Sequence, residues 1–67
     1  MAFAAQPVDE TGTLTRDGAA FILQRDRGGW YTLHLQRVPV DHVEKRVRLI
    51  GTLIAEGVVS VEGVSAL

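Results

Sequence analysis

The chain has 67 residues, a formal charge of −1 at pH 7, 46% hydrophobic residues and no cysteine. That is room for one domain, and a chain this short buries only about 60% of its unfolded surface, so tight packing or self-association must supply the margin of stability. The absence of Cys excludes a disulfide framework and a thiolate metal site and permits a reducing compartment, while the near-zero charge excludes a strong overall field towards nucleic acid or anionic lipid.

The charge is unevenly spread. All seven basic residues lie between Arg16 and Arg48 with four of the eight acids; Asp9, Glu10, Glu56 and Glu62 make the ends acidic. A modestly basic middle is compatible with a polyanion ligand, and equally with a solvated surface. No run approaches the ~18 apolar residues of a membrane span. The opening MAFAAQPV lacks the basic start and apolar stretch of a secretory signal. The expectation is a protein of the cytoplasm with no membrane partner.

Residues 1–10 carry no usable period and include Pro7, which reads as a flexible N-terminal arm ahead of a single domain over 11–67. Residues 11–16 form the first expected strand, with Thr11, Thr13 and Thr15 on one side and Gly12 and Leu14 on the other. Asp17-Gly18 is a strong hairpin signal, and a two-residue loop there pairs Leu14 with Phe21 and Gly12 with Leu23. The second strand, 19–25, buries Phe21 and Leu23 and exposes Ala20, Ile22 and Gln24. Arg27-Gly28-Gly29 reads as a three-residue loop with Gly29 in the left-handed position, setting Leu23 against Leu33 and Phe21 against Leu35. In the third strand, 30–36, strict alternation sends Tyr31, Leu33 and Leu35 inward and Trp30, Thr32 and His34 outward.

Val38-Pro39-Val40 ends that strand, because Pro cannot donate to a ladder. Asp41 with Glu44 three residues on resembles a capping box, which predicts a short helix over 41–46 held against a barrel end by Val43. The fourth strand, 47–53, buries Val47, Leu49, Gly51 and Leu53, with Gly51 marking a bend or a close backbone approach. Ala55-Glu56-Gly57 repeats the three-residue loop, and the fifth strand, 58–64, buries Val59 and Val61.

The predicted class is therefore all-β: a small five-stranded Greek-key barrel with one short helix between strands three and four. That order is the arrangement of the OB-fold; an SH3-like barrel is the rival. In wording, Gly12-Thr13-Leu14, Phe21-Ile22-Leu23, Gly28-Gly29-Trp30-Tyr31-Thr32-Leu33 and the valine-led strand ending Gly51-Thr52 resemble small bacterial OB-like domains of unknown function. The resemblance implies a fold rather than an activity.

No constellation for catalysis stands out. His34, His42, Ser60, Ser65 and the threonines sit in no recognisable motif, two His residues eight apart make a poor metal site, and the glycine loop lacks the helix start that phosphate binding requires. The expectation is a protein that is not an enzyme and takes no cofactor and no metal. Two surfaces remain. Trp30, His34, Gln24 and Thr32, with Arg16, Arg25 and Arg27 at the rim, form a candidate ligand face for single-stranded nucleic acid or oligosaccharide, since OB domains use strands two and three in this way. Ile50, Ile54 and Val58 form a candidate apolar face for a homo-oligomer or a protein partner. A single Trp and a neutral charge balance weight the second above the first.

Overall fold

Five strands make up most of what the computed structural model describes, residues 5–36 and 42–67. They are β1 (Gln6–Asp17), β2 (Ala20–Arg25), β3 (Trp30–His34), β4 (Arg46–Ala55) and β5 (Val58–Ala66). The all-β expectation holds. Four of the pairings are antiparallel, β3 and β5 run parallel, and the sheet closes on itself in the order β1-β2-β3-β5-β4.

Alternation fixes the interior. Leu14, Leu23, Val47, Leu49 and Val59 are fully buried, joined by Val8 and Leu33, with Phe21, Tyr31, Leu35, Leu53, Val61 and Val64 packed around them. Each such Leu or Val contributes about 1.5–3 kcal/mol by leaving water, which matters in a chain with so little interior.

Two glycines let strands come close enough for the ring to close. β1 pairs with β4 over Gln6 to Thr13 and with β2 over Gly12 to Asp17, so it changes partners at Gly12. A Cβ there would lie 2.1 Å from the Gln24 carbonyl oxygen. At Gly51, beside a bulge in the β4–β5 ladder, a Cβ would lie 2.3 Å from the Ser60 oxygen, which is the close approach expected of it.

Several expectations need correction. Residues 6–10, assigned to a flexible arm, form the first half of β1; Val8 there is part of the core. The first turn is Gly18-Ala19 rather than Asp17-Gly18, with positive φ at Gly18 alone, as a type II′ turn has it. Leu14 consequently faces Leu23, and Gly12 faces Arg25. The second loop sits one residue early. Arg25 donates its N–H to the Gly29 oxygen and accepts from the Gly28 N–H, both at 3.0 Å, which closes the turn; Gly29 has the positive φ (78°) expected of it, and Gly28 has one too (φ 102°). Leu23 thus faces Tyr31, and Phe21 faces Leu33. Both shifts move the register by two residues, which preserves the face of every side chain. The β4–β5 loop is Glu56-Gly57, Ala55 pairing with Val58, and Ile54 is the extra residue of a bulge.

The helix is absent among the described residues. Asp41, its expected cap, and the stretch 37–40 lie outside them. Residues 42–45 instead turn back onto β1: Glu44 donates to the Leu14 oxygen at 2.6 Å, Leu14 donates to the Lys45 oxygen at 3.0 Å, and Glu44 has φ 64°, which no α-helix admits. So short a segment gains too few internal hydrogen bonds to nucleate a helix, and strand-like pairing with Leu14 offers more. Ile22, expected in the open, is buried on the outer side between Thr15 and Thr32, apart from the core cluster.

Candidate binding faces

The first face is carried by β2 and β3. Trp30 is 57% exposed, and the register sets it opposite exposed Gln24. Half-buried Thr32 and exposed His34 follow on the same side of β3, with Arg27 exposed in the adjoining loop. Gln24, Trp30, Thr32 and His34 thus lie on one side of the β2–β3 ladder. Arg25 does not join them. It alternates inward with Leu23, and its guanidinium lies over the Tyr31 ring, 4.6 Å from the centroid, with Nη1 donating to the Tyr31 hydroxyl at 3.1 Å.

A carboxylate unnoticed in the sequence completes that inner corner. Glu10, on β1 and opposite core Leu49, has a side chain only 13% exposed; its two oxygens lie 3.9 Å from Arg25 Nη1 and 3.4 Å from Arg27 Nε. Arg25 and Arg27 thus share one anion of the chain's own. Arg16, the other rim cation, lies 5.8 Å from the centroid of the Phe21 ring and donates from Nε to the Gly18 oxygen.

The second face lies on β4, β5 and the first half of β1. Ile50 is 41% exposed and Ile54, the unpaired residue of the bulge, is 43% exposed; Val58, paired with Thr32 of β3, is half-buried. Ile50 sits between Asp9 on β1 and Gly63 on β5, where a Cβ would meet nothing within 4 Å.

Beside Ile50, Arg48 grips Asp9 with two hydrogen bonds, Nε to Oδ1 at 2.9 Å and Nη2 to Oδ2 at 2.6 Å. The bonds to Arg48 hold the Asp9 carboxyl below its ordinary range and raise the Arg48 guanidinium in turn. Asp26, in the β2–β3 loop, accepts from the Arg46 guanidinium and from the Thr11 hydroxyl (2.9 Å), which lowers its pKa for the same reason and ties the loop to β1 and β4.

For chemistry the arrangement offers little. His34 and Ser60 are neighbours in the β3–β5 register, yet no hydrogen bond joins them, and no metal-holding group of three His, Cys, Asp or Glu occurs, among the described residues. No helix among them is long and apolar enough to cross a membrane.

Comparison with known proteins gives a family rather than an activity. Neither the curated proteins nor the solved structures contain a match. A family model described as "Protein of unknown function (DUF5818)" matches residues 11–67, which takes in the hairpins, both glycine close approaches and both candidate faces; the chain belongs to the DUF5818 family.

Proposed function

We propose that the chain is a non-catalytic interaction module of the cytoplasm, an OB-like barrel that makes protein contacts, self-contacts included, through Ile50, Ile54 and Val58. The OB-like reading draws support from the ring order and the parallel β3–β5 pairing. One observation carries the functional reading: two isoleucines stand open on the β4–β5 side, while Arg25 and Arg27 share the Glu10 carboxylate. Exposed apolar clusters on a small protein mark contacts, whereas single-stranded nucleic acid needs several stacking aromatics and free cations.

Trp30 favours a second reading, in which the β2–β3 face binds single-stranded nucleic acid or an oligosaccharide. One set of titrations separates the two. Amide and indole resonances are followed while the protein's own concentration is raised, while bacterial cell extract is added, and while oligo-dT is added at low salt. Perturbation of Ile50, Ile54 and Val58 in either of the first two supports the contact face. Perturbation confined to Trp30, Gln24 and His34 on adding oligo-dT supports the nucleic-acid face instead. Resonances on both faces unmoved by all three titrants would overturn both readings.

A further inference from the structure

We propose that the partner of the β4–β5 face is a second copy of this chain, related by a two-fold axis that runs through Ile50 and exchanges Asp9 and Arg48 between the copies. This rests on the reading of that face as a contact surface and goes further by naming the occupant and its orientation.

Asp9 and Arg48 flank Ile50 on two sides. Asp9 is its cross-strand partner on β1, one strand spacing to the side. Arg48 is two residues back along β4, on the same outward side. These offsets are about 4.8 Å across the sheet and about 6.8 Å along it, so the two charges lie at similar distances from Ile50 in perpendicular directions. An axis in the contact plane that bisects them carries each onto the other. Ile50 then meets Ile50 of the second copy, Arg48 of each copy lies over Asp9 of the other, and the two sheets cross near a right angle, one of the two ordinary ways in which sheets pack.

The two-fold also accommodates the other two neighbours of Ile50. It brings Gly63, one strand spacing to the other side of Ile50 and open above, against Thr52 of the second copy, so no bulky pair collides. An isologous contact requires a patch complementary to itself. A patch of one sign would repel its copy; this one carries one charge of each sign flanking an apolar centre. Within the single chain Asp9 and Arg48 bond each other yet stay about half open to solvent, so a second copy can reach them and take over the pairing.

The test uses charge reversal in the full chain. Asp9→Arg leaves this corner with two cations, and Arg48→Asp leaves it with two anions. Sedimentation equilibrium should show each variant associating at least about tenfold more weakly than the wild type, because like charges now face each other across the axis. An equimolar mixture of the two variants should recover association as a heterodimer, with a salt dependence the wild type shares. An effect on the single chain's own ion pair cannot produce that recovery. The milder pair Asp9→Lys and Arg48→Glu serves if either variant melts early. A wild type that associates while the mixture does not would overturn the two-fold and leave self-association standing. A wild type that stays monomeric into the millimolar range would overturn the second copy, and the extract titration would then decide the contact face by itself.

Discussion

Replacing Gly12 with Ala tests the strand exchange that closes the ring. The new methyl carbon would lie 2.1 Å from the Gln24 oxygen, 2.9 Å from its carbonyl carbon and 3.0 Å from the Arg25 Cα. All three are backbone atoms, so no rotamer change relieves the clash, and β1 must part from β2 or shift along it. Overpacking costs about 1–3 kcal/mol, and a contact with backbone belongs at the upper end. At about 0.05–0.15 kcal/mol per residue the whole chain holds roughly 3–10 kcal/mol. A loss near 3 kcal/mol should therefore lower Tm by about 12–24 °C, at about 4–8 °C per kcal/mol for a domain this small. Gly63→Ala is the control, since its Cβ meets nothing within 4 Å and its φ is not positive. There the substitution only restricts the unfolded chain, and Tm should rise by about 2–8 °C for a gain of about 0.4–1 kcal/mol. Thermal melts followed by far-UV circular dichroism at micromolar concentration read both. A Gly12→Ala variant melting with the wild type, or a Gly63→Ala variant falling as far, would refute the packing described at these strands.

The acids and the exposed ring make further predictions. Asp9 and Asp26 titrate below the ordinary aspartate value of 3.8, so the stability they lend is complete above that value and is lost as pH falls through their lower folded pKa. Acid titration of Asp9→Asn and Asp26→Asn should accordingly show a shallower loss of Tm below pH about 4 than the wild type, and high salt should blunt the difference. Arg25→Met strips Glu10 of its nearer-buried partner and Tyr31 of a hydrogen-bond donor, and should cost about 1–3 kcal/mol in urea unfolding. Trp30→Ala should move stability by no more than about 0.5 kcal/mol, and wild-type Trp30 emission should already be red-shifted in the native state.

The faces were legible in the sequence because strand alternation has a period of two. The turns at Gly18 and Gly28 each displaced the pairing by two residues, yet Leu14, Phe21, Leu23, Tyr31 and Leu33 stayed on the inner side. Gly51 announced its own close approach. The first half of β1 was obscured because its inward positions include Glu10, a charge that reads as solvent-exposed until Arg25 and Arg27 are brought to it from β2 and its loop. The ion pairs were invisible for the same reason: Asp9 and Arg48 are 39 residues apart, and only the β1–β4 ladder joins them. The predicted helix does not run through 43–45, where Glu44 has a positive φ and bonds to the Leu14 backbone instead. Ile54 projects outward as the alternation from Ile50 has it, whereas the bulge between Leu53 and Ala55 left no mark in the pattern of apolar residues.

If Ile50 seats a second copy of this chain, association must depend on it. Sedimentation equilibrium of the wild type beside Ile50→Glu, from micromolar to millimolar concentration, is the most direct test. The wild type should associate reversibly, and the substitution should abolish that association while leaving Tm unchanged. Two identical monomers across the whole range would contradict it.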